Sequence, residues 1–280
     1  GRLARGIRAL AQVRQFASEH RADVILTESP RHATELASAA IADGVELIVA
    51  VGGDGTMNEV ASALVNTTVT LGLIPCGSGD GLGRHLGIHG SVKHALGVLR
   101  RGSPRLIDSG LADGHPFFTV SGIGFEAEIA RKFNQLERRG FLRYLTTSAQ
   151  AFHRWKPAHY VINYPGGRTE LRAFTVAVAN SDQYGNNAII APGARADDGQ
   201  IDLCAIPALT ALNAVPLAAR LFSGKIDRQS GVFLKRATEF VIERDAPGPL
   251  HTDGEIHEAG KRIKFSIIPA SLRVMAPSGS

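Results

Sequence analysis

Two glycine-rich stretches, each following an apolar run, are the parts of the sequence best suited to binding a phosphorylated ligand. They are VGGDGTMNEV at residues 51–60 and GSGDGLGR at residues 77–84. Glycines leave backbone N–H groups uncovered by a Cβ atom, and a helix N-terminus adds unpaired N–H groups with a partial positive charge. Such loops cradle phosphates, and Asp54 is suited to binding a metal ion or orienting the phosphates. For the first stretch alone, the alternative is a tight turn in which Asp54 only caps the helix.

The doubling of the motif favours the phosphate site over the simple turn. Both stretches follow predicted strands that are successive along the chain, so in a parallel sheet the loops would lie side by side and could hold one polyphosphate. Neither continues into Gly-Lys-Ser/Thr, so neither is a Walker A motif. The nearest dinucleotide-type motif is GIGFEA at residues 122–127, but a basic helix pattern follows it instead of a second strand, which disfavours a dinucleotide fold there.

The elements that must position these loops follow from the hydrophobic pattern. Up to about residue 113, helical and extended patterns alternate, which predicts a parallel sheet with helices on both faces. From residue 114 onward extended runs dominate, apart from a basic helix candidate from Glu126 to about Trp155 and another around Leu209 to Leu221. The sequence therefore predicts an α/β domain at 1–113 and a mostly antiparallel β domain at 114–280. The strands predicted for the first domain are ADVILTE (22–28), VELIVAV (45–51) and TLGLIPC (70–76).

Composition narrows the class of protein. The chain has 280 residues, 44% of them hydrophobic and 20% charged, and no apolar stretch approaches the ~20 residues that a membrane span needs. Cys76 and Cys204 lie in unrelated segments, which predicts a reducing, cytoplasmic compartment and neither a disulfide framework nor a zinc site. A formal net charge of +5 favours anionic partners.

A run of basic residues lies in the helix candidate that begins at Glu126. It is either a solvated face or a surface attracted to an anionic membrane. No aromatic interleaving accompanies it, so nucleic-acid binding is not expected. The basic residues are Arg131, Lys132, Arg138, Arg139 and Arg143.

Several motifs in one order resemble the diacylglycerol kinase catalytic family, which includes bacterial lipid kinases, sphingosine kinases and ceramide kinases. The resemblance covers nearly the whole chain. It implies an N-terminal NAD kinase-like α/β domain with a parallel sheet, here without the strand that usually opens it, and a C-terminal antiparallel β-sandwich. The implied activity is transfer of the γ-phosphate of ATP, with Mg²⁺, to the hydroxyl of diacylglycerol or a related lipid. The motifs are LTESPRHATELA (26–37), VGGDGTMNEV (51–60), PCGSGDGLGRHLG (75–87), ADDGQIDL (196–203) and HTDGE (251–255).

The same resemblance implies roles for individual residues. Asp253 is the general base and Asp54 acts with it in catalysis. Glu255 supports the base or the magnesium ion, and Asp108, with Asp197 or Asp198, organises magnesium and water. The residues implied in ATP binding are Thr27, Gly52, Gly53, Asp54, Gly55, Thr56, Glu59, Gly77, Ser78 and Gly79.

Asp80 departs from the family pattern, because the family usually has Asn at this position of the second loop. It either replaces that Asn or serves as a further metal ligand. Gly81 follows, where diacylglycerol kinases of some bacteria have Asp, and this pattern is closer to the broader lipid-kinase group.

The expected partners are a lipid substrate and an anionic membrane surface bound peripherally, while a homodimer is left open. One alternative function is an NAD kinase, which shares the Gly-Gly-Asp-Gly-Thr signature but lacks the Gly-Ser-Gly-x-Gly-Leu loop and the C-terminal Asp-Gly-Glu. Another is a catalytically idle lipid- or nucleotide-binding protein, against which Asp54 and Asp253 stand. On its own, Thr-Asp-Gly-Glu at residues 252–255 is also typical of an ordinary hairpin turn.

Overall fold

The structure is a computed structural model that describes residues 2–77, 79–134, 155–185, 187–208 and 211–278. The chain forms two compact units, one of residues 1–107 with 271–280 and the other of residues 108–270. The sequence pattern places the change at residue 113 and assigns the C-terminus to the second domain. In the structure the last ten residues belong to the first unit, because Arg273 and Val274 pair with Thr70 and Leu71 there.

The helices along the chain are α1 (Arg2–Glu19), α2 (His32–Ala42), α3 (Asp54–Leu64), α4 (Gly81–His85), α5 (Val92–Arg101), α6 (Phe125–Asn134) and α7 (Ala211–Phe222). The strands are β1 (Leu47–Gly52), β2 (Thr70–Pro75), β3 (Ser103–Ala112), β4 (His115–Phe117), β5 (Val120–Gly124), β6 (Ala158–Tyr164), β7 (Gly167–Ala173), β8 (Thr175–Ala179), β9 (Gln183–Gly185), β10 (Ala188–Ile189), β11 (Ile201–Ile206), β12 (Phe233–Ala237), β13 (Glu239–Arg244), β14 (Gly248–Thr252), β15 (Glu255–Ala259) and β16 (Arg262–Ala276).

The first unit is built on parallel strands. β1 pairs with β2 over their full length, and the end of β16 runs parallel to β2 on its other side. Leu71, Leu73 and Ile74 of β2 are buried, because helices cover both faces of a parallel sheet. Since the register joins Gly52 to Pro75, the carboxyl ends of β1 and β2 lie side by side. Both glycine loops begin at this edge.

The second unit is an antiparallel β-sandwich. One sheet has the strand order β12-β11-β8-β5-β14-β15. In the other, the part of β16 that belongs to this unit pairs with β13, β13 with β6, and β6 with β7. Side chains from both sheets form one core, in which Phe117, Phe240 and Phe265 have no exposed surface. The predicted change from an α/β unit to an antiparallel β unit is therefore observed.

The strand predicted at residues 22–28 does not join a sheet. This segment has no regular secondary structure and pairs with no described strand, and Ile25 and Leu26 are 65% and 58% exposed. An apolar extended segment becomes a strand only when a neighbouring strand supplies hydrogen bonds, and among the described strands β1 pairs only with β2. Its apolar composition therefore gave the wrong element.

The basic helix predicted from Glu126 to Trp155 is described only in its first part. Helix α6 is described from Phe125 to Asn134, and residues 135–154, with Arg138, Arg139 and Arg143, lie outside the described residues. Within the ranges that the structure describes, every helix is too short or too polar to cross a membrane.

Candidate active site

The first glycine loop joins the end of β1 to the start of α3. Gly53 is the N-cap residue of this helix and, having no side chain, caps it without a side-chain hydrogen bond. The first-turn N–H groups of α3 are therefore presented beyond the end of β1, with the partial positive charge of the helix behind them. Gly52 is needed on steric grounds, because a Cβ atom there would lie 2.8 Å from Oγ1 of Thr56.

The second glycine loop packs directly against the first. Cys76 N–H donates to the carbonyl of Gly52 at 2.7 Å. A Cβ atom on Gly77 would lie 2.7 Å from the Cα of Gly53, and one on Gly79 would overlap Oδ2 of Asp54. The two loops that the sequence predicts as neighbours are thus in contact, and glycine is the residue that allows it. Ser78 lies outside the described residues.

Asp54 connects the two loops through a hydrogen bond of its side chain. It is the first residue of α3, and its Oδ1 accepts a hydrogen bond from Gly81 N–H of the second loop at 3.2 Å. The carboxylate therefore does not serve as the cap of its own helix, since Gly53 occupies that position. The turn in which Asp54 only caps α3 is not what the chain forms.

Asp80 is a second, more deeply buried carboxyl group in the same place. Its backbone is left-handed at φ 54° and its exposed fraction is 6%. Burial first, and then the negative charge of Asp54, raise the pKa of Asp80 to about 7, while Arg84 opposes the shift. Its Oδ1 has no hydrogen-bond partner among the described residues. Two adjacent carboxyl groups, one with an unpartnered oxygen, are a suitable setting for a proton or a cation.

Two further residues implied in ATP binding lie apart from this contact. Thr27 is exposed within the irregular segment 22–28. Glu59, on α3, accepts a hydrogen bond from Ala33 N–H at 3.2 Å, and its carbonyl accepts one from Thr34 Oγ1 at 3.1 Å. Glu59 thus provides the acceptor that the N-terminus of α2 lacks from its own cap residue, and its contacts join α2 to α3.

In the second unit, Asp253 occupies a two-residue hairpin turn between β14 and β15. Thr252 pairs with Glu255, and Asp253 and Gly254 have φ values of 50° and 88°. Positive φ at both central residues is the reason that Asp-Gly is favoured at such turns. The hairpin that the sequence offers as the ordinary alternative is therefore present.

The carboxylate of Asp253 points back into its own unit. Oδ2 accepts a hydrogen bond from Phe118 N–H at 2.7 Å. Oδ1 accepts hydrogen bonds from Thr119 N–H at 2.9 Å and Val120 N–H at 3.0 Å, and also from the Thr119 hydroxyl. Asp253 N–H in turn donates to the carbonyl of Val120. Successive backbone N–H groups of one segment thus form a cradle that fixes this carboxylate.

The acidic residues implied in magnesium binding are held by other contacts in the second unit. Asp108 is buried, and its two carboxylate oxygens each accept a backbone N–H at 2.7 Å, from Gly199 and from Ala270. Asp198 accepts from Gln200 N–H at 3.1 Å and lies 3.5 Å from the Arg236 guanidinium.

Asp197 and Glu255, the other two acids of this prediction, lie nearer the surface. Asp197 forms an ion pair with Arg195 at 3.0 Å, and Glu255 is exposed. The described residues contain no group of three or more His, Cys, Asp or Glu side chains that could hold a metal ion. The magnesium roles of Asp80, Asp108, Asp198 and Glu255 stay predictions.

Some residues of the Asp253 cradle were not found from the sequence. Thr119 lies in PFFTVS (116–121) and Asn180 ends LRAFTVAVAN (171–180), two of the extended runs after residue 114 that the sequence predicts only as strands. Each is a polar residue in a run of buried apolar ones, and both are buried in the structure. That interruption is the signal that could have marked them, because a buried polar side chain requires a partner.

Comparisons with known proteins agree with this architecture. Residues 3–112 match the diacylglycerol kinase catalytic domain, and residues 119–276 match the YegS C-terminal NAD kinase beta sandwich-like domain. A protein of Pseudomonas aeruginosa named probable lipid kinase YegS-like is 29% identical over 252 residues, which cover 89% of this chain and 82% of that protein. An uncharacterized protein of Synechocystis is 27% identical over 244 residues, and the match spans 84% of this chain but only 56% of that longer protein.

Solved structures show the same fold. A diacylglycerol kinase from Bacillus anthracis superimposes with a TM-score of 0.69 at 20% identity, covering 92% of this chain and 85% of that one. An NAD kinase from Archaeoglobus fulgidus in complex with ATP does so with a TM-score of 0.58 at 12% identity, covering 96% and 90%. The predicted NAD kinase-like α/β domain followed by a β-sandwich is thus confirmed.

The chain belongs to the family that joins a diacylglycerol kinase catalytic domain to a YegS-type C-terminal β-sandwich domain. These matches support a lipid kinase at the level of the family.

Proposed function

We propose that this protein transfers the γ-phosphate of ATP to the hydroxyl group of a lipid such as diacylglycerol. The observation that carries the proposal is the contact of the two glycine loops around Asp54, with Gly81 N–H bonded to its carboxylate at 3.2 Å. Backbone N–H groups at the start of α3 supply the positive partial charge that a triphosphate requires. The second loop has no room for a Cβ atom at Gly77 or Gly79, where it meets the first loop, so its backbone itself forms this contact.

Magnesium would be held in the first unit by Asp54 and Asp80. Both carboxyl groups border the glycine loops, and the unpartnered Oδ1 of Asp80 is a suitable hard oxygen ligand. When bound, Mg²⁺ neutralises charge on the transferred phosphoryl group. Its presence would also remove the repulsion between the two carboxylates.

Asp253 would act as the general base. It takes the proton of the lipid hydroxyl while the hydroxyl oxygen forms a bond to the γ-phosphorus and the bond to the bridging oxygen of ADP breaks. The cradle of N–H and hydroxyl donors fixes the orientation of this carboxylate, as a base requires in order to meet its substrate.

Asp253→Asn tests this assignment, because the amide is nearly isosteric but cannot accept the proton. We expect kcat for lipid phosphorylation to fall roughly 10²- to 10⁴-fold, with Mg-ATP affinity close to that of the parent. The free energy of unfolding should fall by about 1–3 kcal/mol, because the amide cannot accept N–H groups at both of the positions where the carboxylate does. Asp113→Asn is a matched control, since Asp113 and Gly114 form a second hairpin turn with positive φ at both residues. Near-normal turnover in Asp253→Asn would remove the base role, and a joint loss of ATP affinity and turnover would make Asp253 a nucleotide or metal ligand.

The acceptor is to be identified by offering diacylglycerol, phosphatidylglycerol, sphingosine and NAD with labelled ATP and magnesium. Labelling of a lipid and not of NAD supports the lipid kinase. Labelling of NAD alone supports the NAD kinase alternative, and labelling of none supports the idle binding protein. Diacylglycerol is the acceptor we expect first, on the basis of the diacylglycerol kinase catalytic domain match.

We also propose that the protein works in the cytoplasm, at an anionic membrane surface, where its lipid substrate lies. The formal net charge of +5 supports this placement. In α6, however, Arg131 and Lys132 both pair with Glu128, at 2.8 and 3.2 Å, so the described basic residues are partly neutralised. Sedimentation with phosphatidylglycerol vesicles, but not with phosphatidylcholine vesicles, is the expected result. Equal sedimentation with both would exclude an electrostatic attachment.

A further inference from the structure

Asn180 is a buried residue whose contacts point to a role that no motif assigns. It directly follows β8, and its exposed fraction is 0%. Its Nδ2 amide donates to the carbonyl of Asp108 at 2.9 Å and to the carbonyl of Phe118 at 3.2 Å. Its backbone N–H donates to the carbonyl of Thr119 at 2.8 Å. Phe118 and Thr119, whose carbonyl groups accept these hydrogen bonds, each donate their own N–H group to Asp253.

Segment 118–120 is thus held between two side chains of the second unit. On one side its carbonyl groups accept hydrogen bonds from Asn180, and on the other its N–H groups donate to Asp253. Because a peptide unit is planar, fixing its carbonyl also fixes the direction of the N–H on the same unit. The carbonyls of Phe118 and Thr119 share their peptide units with the N–H groups of Thr119 and Val120. Asn180 therefore sets the direction of the two N–H groups that bind Oδ1 of Asp253.

The side-chain chemistry supports a donor role for Asn180. Both protons of its Nδ2 are used, each on a different backbone carbonyl, whereas Oδ1 has no hydrogen-bond partner among the described residues. An unpaired buried oxygen typically costs ~1–3 kcal/mol, so an amide is a poor choice here unless its donors are required. Asp would lack those donors and repel both carbonyls, and an apolar residue would leave the carbonyls unpaired.

We propose that Asn180 is the positioning residue for Asp253, acting through the backbone of segment 118–120. The inference rests on the proposed function for its kinetic consequence, but its geometric part stands on the hydrogen bonds alone. Loss of the Nδ2 donors frees the peptide unit between Phe118 and Thr119, while the backbone N–H of residue 180 still holds the Thr119 carbonyl. The carboxylate then loses part of the fixed orientation that proton transfer requires. A misplacement of this kind can lower kcat by about 10- to 100-fold.

Asn180→Leu tests the proposal, because leucine has a similar shape and no donors. The first measurement is amide hydrogen exchange at residues 118–120 in the full chain, which requires no activity. We expect the Thr119 amide to exchange at least about tenfold faster, because it shares its peptide unit with the Phe118 carbonyl; all three amides should exchange faster in Asp253→Asn if that carboxylate holds them. Asn180→Ser, which supplies a single O–H donor in place of the amide, should give an intermediate exchange rate. It replaces Asn180→Leu in the test if that variant does not fold.

Thr175→Val is the matched control. Thr175 lies at the other end of β8 from Asn180, is buried, and donates from its hydroxyl to the carbonyl of Ile123 at 3.0 Å, whereas segment 118–120 lies beside the end of β8 that Asn180 follows. We expect a similar loss of stability, without faster exchange at 118–120 and without a change in kcat. Equal effects in Thr175→Val and Asn180→Leu would reduce Asn180 to an ordinary core residue and overturn the proposal.

The second measurement is a kinetic double-mutant cycle with Asp253→Asn. If Asn180 acts through Asp253, Asn180→Leu should lower kcat about 10- to 100-fold in the parent but less than about twofold in the Asp253→Asn background. Full additivity would overturn the proposal. If the parent phosphorylates no lipid, the proposed function fails instead, and the exchange rates still decide whether Asn180 sets the cradle.

Discussion

Asp80 should make the protein less stable as the pH rises from about 4 to about 7. In the folded protein, burial and the charge of Asp54 raise the pKa of Asp80 from its ordinary value of 3.8 to about 7. In the unfolded chain both influences disappear, so the carboxyl group ionises near its ordinary pKa. Within this pH window the folded state keeps a proton that the unfolded state has released.

The magnitude follows from the width of the window. Where the folded state binds one more proton than the unfolded state, the free energy of unfolding falls by about 1.4 kcal/mol per pH unit. The window spans about three units, so Asp80 costs at most about 4 kcal/mol once the pH exceeds 7. Below pH 4 both states are protonated and this cost is absent. A domain of ordinary stability, about 5–15 kcal/mol, would lose a large share of it.

Asp80→Asn should remove this dependence, because the amide is neutral and nearly isosteric. Asn also suits the backbone, which is left-handed at φ 54°. We expect the variant to be more stable than the parent at pH 8, by up to about 4 kcal/mol, and to match it near pH 3.5. Urea denaturation at several pH values, in EDTA to exclude metal ions, measures both curves. Asp23→Asn, at an exposed carboxylate of the first unit, is the control.

Parallel curves for the parent and Asp80→Asn would refute this reasoning, because they would mean that Asp80 has the same pKa in both states. Added magnesium then separates the two roles of Asp80. If it binds Mg²⁺ with Asp54, magnesium should stabilise the parent more than the variant at pH 8, and the variant should need markedly more magnesium for lipid phosphorylation. If it only replaces the Asn usual in the family, the variant should keep most activity at the same magnesium concentration.

Two further predictions concern the packing at each candidate site. Gly77→Ala should weaken ATP binding at least about tenfold, because its Cβ would lie 2.7 Å from the backbone of Gly53. Gly260→Ala, in the second unit and with nothing within 4 Å of its Cβ, is the calorimetric control, and equal ATP affinities of Gly77→Ala and the parent would exclude the close approach. Asp108→Asn should cost about 1–3 kcal/mol in urea denaturation, because an amide cannot accept both backbone N–H groups; an unchanged midpoint would exclude Asp108 as a structural acceptor.

The first unit was largely predictable because its signals are local. Each glycine loop follows an apolar run, and the alternation of patterns makes successive strands neighbours, so the contact between Gly53 and Gly77 follows from topology. Pairing partners are less predictable. Residues 22–28 have the composition of a strand but no described neighbour, and the end of β16 returns to β2 across almost two hundred residues of sequence. Composition indicates which segments can form strands, while the tertiary structure decides which of these segments pair.

The candidate base was predictable as a residue but not in its surroundings. The motif at residues 251–255 identifies Asp253, whereas the donors that hold it lie more than a hundred residues earlier in the chain. Asn180 is a third distant element of the same network. No period or spacing joins positions so far apart, because their proximity results from the order of strands in the sheet. The one sequence signal for this network is the presence of single polar residues, such as Thr119 and Asn180, within apolar runs.

The two Asp-Gly hairpins of the second unit separate turn formation from function. Asp113 and Asp253 both have positive φ, each is followed by glycine, and each joins paired antiparallel strands. The exposed Asp113 accepts a hydrogen bond from Lys264 N–H, whereas Asp253 is partly buried and accepts hydrogen bonds from three consecutive N–H groups and a hydroxyl. Turn chemistry therefore explains why Asp precedes Gly at both places but cannot explain the cradle. Since Asn also tolerates positive φ, exchanging Asp for Asn at both turns preserves the hairpins, and any difference in turnover reports the carboxylate of Asp253.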